Sequence, residues 1–200
     1  MTTPLKLVFA TGNKGKLREA REILGPGFQV ESPQQEGING EAEETGSTLE
    51  ENSLLKAQYV ASRLPQDAIC FADDSGLEVD ALGGAPGVYT ARYAGPQCDF
   101  NANMDKLLKE LAQKGDVPRT ARFVCVVTLI CHSEVHQFKG ILEGTIAYEK
   151  MGDKGFGYDP VFIPNDYPNL TLAQIGEKLK NTISHRYRAL SAMREKLVAE

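Results

Sequence analysis

Long apolar runs are missing from this 200-residue chain, which argues against a membrane-spanning helix. The opening stretch, Met1–Ala10, has too short an apolar segment for a secretory signal, so the expectation is a cytoplasmic protein with no membrane partner. Cysteine is scarce and irregularly placed, at 70, 98, 125 and 131. No Cys-x-x-Cys pair occurs, which argues against a zinc site. Cys70, Cys125 and Cys131 lie in apolar runs and read as buried free thiols. Histidine is scarcer still; His132 and His136 would share a face if one strand ran through both, and without a third ligand they read as a polar strand face. An excess of basic charge is also absent. The net charge of −5 argues against a broad nucleic-acid footprint and leaves room for one small phosphate pocket. Repeats, low-complexity tracts and separating linkers are lacking too, so residues 1–200 read as a single domain, with two lobes around a cleft.

What is present is an ordinary globular composition, 42% apolar, with alternating strand and helix signals. Leu5–Ala10 reads as a buried strand, Thr11-Gly12-Asn13 as a turn, and Lys14–Leu24 as a helix stopped by Gly25-Pro26-Gly27. Phe28–Glu31 reads as a short strand, and Glu36–Gly46 as an acidic loop. Thr48-Leu49-Glu50-Glu51 matches a capping box opening a helix to Leu64. The apolar run 68–72 reads as a strand ending in an Asp-Asp-Ser-Gly turn. Periodicity predicts a helix over 101–113, long strands over 123–131 and 135–147 joined by a tight turn, a short strand at 161–163, and helices from Leu172 and after His185 to the C-terminus. The fold class is α/β with a mixed sheet.

The segment 71–95 carries the strongest chemical signal. Two adjacent acids at the end of a buried strand are costly unless a cation or a hydrogen-bond network uses them. Hard divalent cations want such oxygens and keep open positions for water and phosphate. The plain alternative is a pair of acids capping a turn, with Ser75 bonded to its own backbone. Thr11-Gly12-Asn13-Lys14-Gly15-Lys16 leads from a strand into a helix, where free backbone N–H groups and two lysines suit a phosphate. It is not a P-loop, and an ordinary capped turn fits equally. Glu41, Glu43 and Glu44 form an acidic loop, one of whose members could join the Asp pair. Gly155-Phe156-Gly157-Tyr158-Asp159-Pro160 offers two aromatics for stacking on a nucleobase or for anchoring a loop. His185 and Arg186 stand at a helix start, where neither cation helps the helix, which points to an acceptor nearby such as a carbonyl or phosphate.

Taken together, these segments resemble the inosine triphosphate pyrophosphatase family. The matches are Thr-Gly-Asn-Lys-Gly-Lys at 11–16, Glu-Glu-Thr-Gly at 43–46, Glu-Asn-Ser-Leu-Leu-Lys-Ala at 51–57, the run 72–95, Gly-Phe-Gly-Tyr-Asp-Pro at 155–160 and Ile-Ser-His-Arg at 183–186. Six segments in the same order over nearly the whole chain make the resemblance specific. It implies an elongated mixed sheet with flanking helices, two lobes around a deep nucleotide cleft, and a homodimer. By position it implies that Glu44 and Asp74 hold Mg²⁺, with Mn²⁺ as a substitute, and that Asp74 also acts as the base. Thr11, Gly12, Asn13, Lys14, Gly15, Lys16, Ser75, Phe156, Gly157, Tyr158, Asp159, Lys180, His185 and Arg186 would contact the nucleotide. The chain departs from the family's Glu-Glu-Lys-Asn at Lys178-Leu179-Lys180-Asn181, which leaves the helix register there open.

The activity this implies is hydrolysis of ITP, dITP or XTP to the monophosphate and pyrophosphate. Asp74 would deprotonate a water that attacks the α-phosphorus. Lys14 and Lys16, with Lys56 as a further candidate, would stabilise the departing pyrophosphate. Asp73, on the opposite side if strand alternation persists, ranks below Asp74. Arg186 and His185 would donate to the 6-keto oxygen of inosine or xanthine. Two alternatives remain at this point: a purine-nucleotide-binding module without turnover, and a phosphatase of the same metal-carboxylate type.

Overall fold

The computed structural model describes residues 3–199; the first two residues of the N-terminal stretch and the end of the C-terminal helical run lie outside the described residues. Among the described residues six strands and six α-helices follow in this order: β1 Leu5–Phe9, α1 Lys14–Leu24, β2 Phe28–Glu31, α2 Leu49–Ala61, β3 Cys70–Val79, α3 Phe100–Gln113, β4 Thr120–Cys131, β5 Glu134–Ile146, β6 Phe162–Pro164, α4 Leu172–Ile175, α5 Glu177–Ile183 and α6 His185–Val198. The strands form one sheet in the order β2-β1-β3-β4-β5-β6. β1 runs parallel to β2 and β3, while β5 and β6 are antiparallel, so the sheet is mixed as expected. No helix among the described residues is long and apolar enough to cross a membrane.

Local chemistry explains the helix bounds. Asn13 caps α1, its Oδ1 accepting from Gly15 and Lys16 N–H at 2.8 and 3.1 Å. Gly25, at φ 77°, closes α1 in a backbone shape that suits glycine. Thr48 caps α2 by accepting from Glu51 N–H at 3.1 Å. The reciprocal half of the capping box is redirected: the Glu51 carboxylate accepts from Ser47 N–H and Oγ instead, at 2.6 and 2.9 Å.

Two expectations are corrected here. Residues 73–76 do not turn; β3 continues through them to Val79, because sheet pairing and flanking apolar residues outweigh the turn preference of Ser and Gly. His132 and His136 do not share a strand face. His132 and Ser133, at φ 50° and 67°, form the two-residue turn between β4 and β5, whose twist suits a hairpin. His132 Nδ1 lies 3.4 Å from Cys131 Sγ, and His136 pairs with Glu134 at 3.2 Å.

The chain divides into two compact units. The first comprises residues up to Asp74, Cys125–Gly140 and the chain from Arg186 on; the second comprises Ser75–Val124 and Ile141–His185. In the first unit one sheet face packs Leu7, Phe9, Phe71, Val127 and Leu129 against Ala20 and Leu24 of α1 and Ala189, Leu190 and Met193 of α6. Phe9 and Phe71 stack at 4.4 Å. The other face packs Val8, Ala10, Cys70 and Ala72 against Ala57 and Val60 of α2. Each large apolar side chain taken from water contributes about 1.5–3 kcal/mol. A one-residue slip of β3 would turn Cys70, Phe71 and Ala72 to the wrong faces, so this core fixes which side each following acid takes. In the second unit Leu77 and Val79 pack with Leu107 and Leu111 of α3, and with Phe123, Leu142, Ile146 and Phe162.

Candidate active site

Because β3 is unbroken, Asp73 follows Phe71 onto the face covered by α1 and α6, and Asp74 follows Ala72 onto the face covered by α2. Their surroundings differ accordingly. Asp73 is sealed, with its side chain 1% exposed. Lys16 Nζ donates to its Oδ1 at 3.0 Å and Arg186 Nε to its Oδ2 at 2.9 Å. A further guanidinium nitrogen of Arg186 donates to the buried Glu19. Burial works to raise the Asp73 pKa, but Lys16, Arg186 and Lys56 outweigh it and hold the carboxyl well below the ordinary range. Burial likewise opposes the charge on Arg186, and Asp73 and Glu19 more than restore it.

Asp74 has one cationic partner in contact. Lys56 Nζ donates to its Oδ1 at 2.9 Å, and the same nitrogen lies 3.3 Å from Glu44 Oε1. These side chains keep partial access to water, 12% for Asp74, 15% for Lys56 and 36% for Glu44. Burial raises the Asp74 pKa and neighbouring Glu44 adds to the rise, against a pull from Lys56 and Lys16. Two carboxylates therefore converge on one ammonium, leaving one negative charge over.

The loop carrying Glu44 is tied to α2 by Asn52, whose Oδ1 accepts from Gly46 N–H at 2.8 Å. A Cβ at position 46 would stand 2.6 Å from that oxygen and 2.7 Å from Glu51 Cβ, so only glycine allows the contact. Asn52 Nδ2 is buried with no hydrogen-bond partner among the described residues. Asn52 and Lys56 are four residues apart and share one face of α2.

The 11–16 loop has the form of a capped helix start. Thr11 Oγ1 accepts from Asn13 N–H at 3.1 Å, and Asn13 occupies the N–H groups of Gly15 and Lys16. The Glu41 carboxylate lies against Gly12 in the space a Cβ would take. Lys14 is exposed, whereas Lys16 is drawn to Asp73.

In the second unit Asp159, Lys180 and Phe156 come together. Asp159 Oδ2 accepts from Phe156 N–H at 3.0 Å and from Lys180 Nζ at 2.8 Å, and that ammonium lies 4.2 Å from the Phe156 ring centre. Lys180 is buried and Lys178 exposed, which settles the register left open by the departure from the family's pattern. Tyr158 donates to Thr90 O at 2.7 Å, and burial pushes its phenol above the ordinary range. Gly157, at φ 62°, turns the backbone between the two aromatics. His185 stacks on Phe123 at 4.8 Å. Ser75 Oγ is buried with no hydrogen-bond partner among the described residues.

Three residues were missed by sequence reasoning or placed differently. Arg186 does have acceptors beside it, as its helix-start position demands, but they are the carboxylates of Glu19 and Asp73 rather than a carbonyl or phosphate. Glu19 was readable as an acid interrupting the apolar face of α1, a position that asks for a cation. Lys56 bridges the acid pair directly. Among the described residues no group of three or more His, Cys, Asp or Glu side chains is placed to hold a metal ion, so any cation at Glu44 and Asp74 would complete its shell with water and substrate oxygens.

Comparison with known proteins bears on this geometry. The family model described as the Ham1 family matches residues 7–196. A dITP/XTP pyrophosphatase from Bacillus subtilis strain 168 is 47% identical over 194 residues, covering 96% of each chain. One from Xylella fastidiosa is 48% identical, covering 95% of this chain and 96% of that protein. The solved Ham1 protein of Staphylococcus aureus superposes with a TM-score of 0.86 at 40% identity, over 97% of this chain and 98% of that one. That of Coxiella burnetii gives 0.87 at 36% identity, over 98% and 100%. With a family model spanning nearly all of it and relatives this similar end to end, the chain belongs to the Ham1 family.

Proposed function

We propose that this protein is a nucleoside-triphosphate pyrophosphatase that hydrolyses the aberrant purine nucleotides ITP, dITP and XTP to the monophosphate and pyrophosphate. The observation that carries this reading is the Glu44–Asp74 pair, two converging carboxylates with one ammonium between them and charge to spare. The names of the relatives support the substrate class.

Nucleotide pyrophosphatases of this family are generally metal-dependent. Glu44 and Asp74 fit a divalent cation on three counts: their oxygens are hard donors, they already converge on a cation, and they remain partly open to water. Mg²⁺, with Mn²⁺ as a substitute, would be held by these two residues and would supply charge neutralisation and orientation of the triphosphate. Asp74 takes a proton from the attacking water. Lys14 and Lys16 meet the charge that develops on the departing pyrophosphate. Lys16 is held ready for this by Asp73, which is fixed in turn by Arg186.

The base is met by Phe156 and His185. Phe156, braced by the Lys180–Asp159 pair, offers its ring for stacking. His185, held against Phe123, is the donor to the 6-keto oxygen. Arg186 acts by holding Asp73 and Glu19 and so supports the phosphate end. The working assembly is a homodimer.

The decisive experiment mixes purified protein with ITP, dITP, XTP and ATP in the presence of Mg²⁺ and identifies the products. Pyrophosphate from the first three, with little from ATP, is the expected result. Orthophosphate would mean a phosphatase, and binding without turnover a nucleotide-binding module.

A further inference from the structure

Lys56 occupies an unusual place for a lysine near a phosphate site. It reaches from α2 to put one ammonium within 2.9 Å of Asp74 Oδ1 and 3.3 Å of Glu44 Oε1. Lys14, by contrast, extends into solvent. Lys56 is instead largely withdrawn from water, and its pull comes from acids on two separate elements.

The arrangement is that of a cation site with a tethered cation. The lysine head group is a compact point charge on a flexible stem of four carbons, able to leave by rotation without moving the backbone. A divalent cation needs the same carboxylate oxygens and neutralises the pair fully, where the ammonium leaves one charge over. Ammonium and divalent cation at contact distance would repel strongly, so both cannot sit between these acids.

We propose that the Lys56 ammonium is the resident cation of the Glu44–Asp74 pair, and that a divalent cation enters only by displacing it, which frees the lysine charge for an anion brought with the metal. The inference rests on reading Glu44 and Asp74 as the metal pair. It makes Lys56 a competitor of metal in the nucleotide-free protein, the opposite of a residue that helps to build a metal site.

The test is Mn²⁺ binding to nucleotide-free protein, followed by electron paramagnetic resonance. Lys56→Met removes the competing charge and keeps much of the stem, and should bind Mn²⁺ at least tenfold more tightly than the unaltered protein. Lys56→Arg should bind no more tightly than the unaltered protein. Equal or weaker binding by Lys56→Met overturns the proposal. If that weaker binding is still abolished by Glu44→Gln, the metal pair stands and only the displacement fails. If Glu44→Gln and Asp74→Asn leave Mn²⁺ binding of Lys56→Met unchanged, the metal pair itself is wrong and the proposal falls with it. A second measurement needs no variant. In unaltered protein with isotope-labelled lysine side chains, Mg²⁺ should shift the Lys56 Nζ resonance towards that of a solvent-exposed lysine. A resonance unmoved at saturating Mg²⁺ overturns the proposal even if a variant fails to fold.

Discussion

Asp73 and Asp74 are neighbours on one strand with the same side chain, and the two faces of β3 treat them in opposite ways. Asp73 meets two cations in a sealed setting, one of them shared with Glu19, and its charge is fully paired. Asp74 shares one ammonium with Glu44 and keeps access to water. The first arrangement costs desolvation and recovers it through geometry, giving a fixed charge that ties α1, β3 and α6 together. The second is left undercompensated, with a raised proton affinity and oxygens that another cation can use. Chemistry belongs on the undercompensated side, because a group whose bonds are already satisfied has nothing to offer a substrate.

The sharpest way to break that comparison is to neutralise each acid at constant shape. Asp74→Asn removes the base and half of the proposed metal pair. Its turnover of ITP should fall by about 10²–10⁴-fold or more, with the melting temperature unchanged or slightly raised because an acid pushed towards protonation has been replaced by a neutral group. Near-normal ITP turnover in this variant would remove Asp74 from the chemistry.

Asp73→Asn should do the reverse and act first on the fold. It leaves Lys16 and Arg186 without their shared carboxylate, and Arg186 retains only Glu19 of the two acids that hold it here. Removing one partner of a buried ion pair costs about 3–5 kcal/mol, and the retained Glu19 contact points to the lower end. A loss of about 3 kcal/mol in a chain of this size lowers the melting temperature by roughly 6–12 °C. Calorimetry on the two asparagine variants checks the contrast directly.

The pH dependence follows with opposite signs. The Asp73 pKa is depressed in the folded state, so its contribution is fully present above the unfolded value of about 3.9 and is lost as pH falls through and below it. The Asp74 pKa is raised, so its ionisation opposes folding above the unfolded value, and that penalty eases as pH falls. The stability gap between the unaltered protein and Asp73→Asn should therefore be constant from pH 7 to about 5 and narrow progressively as pH falls below about 4. Urea unfolding at several pH values measures it; a gap as large at pH 2.5 as at pH 7 would mean that the loss is one of packing and not of charge.

This contrast was only half legible in the chain. The apolar run 68–72 and the text around Asp74 identified the right segment, and Asn13, Thr48 and Gly25 marked helix ends because capping is local chemistry. The reading of 73–76 as a turn failed because Ser and Gly carry turn preferences that strand pairing overrides. The Glu19–Asp73–Arg186 network could not be read, since its members are distant in sequence and no spacing links them. Lys56 lay within a recognised segment, yet only the fold turns it towards Glu44 and Asp74 rather than towards solvent.

Lys16 gives the smallest expected effect and the finest test, because it stands on the Asp73 side yet belongs by position to the phosphate loop. If the faces of β3 divide structure from chemistry, Lys16 should belong to both. Lys16→Met keeps the stem and removes the charge. Its stability cost should be small, about 1 kcal/mol, because the side chain is 19% exposed and Asp73 retains Arg186. Its effect on catalysis should be a rise in KM, or a fall in kcat if the charge is used only on the departing pyrophosphate. In either case kcat/KM should drop for ITP and ATP by the same factor, roughly 10-fold for one lost charge-assisted hydrogen bond to a phosphate, since a phosphate contact cannot distinguish the bases. A changed ITP/ATP ratio would place Lys16 in base selection. An unchanged kcat/KM alongside the stability loss would leave Lys16 as nothing more than the counter-charge of Asp73, and the division between the two faces of β3 would then be complete.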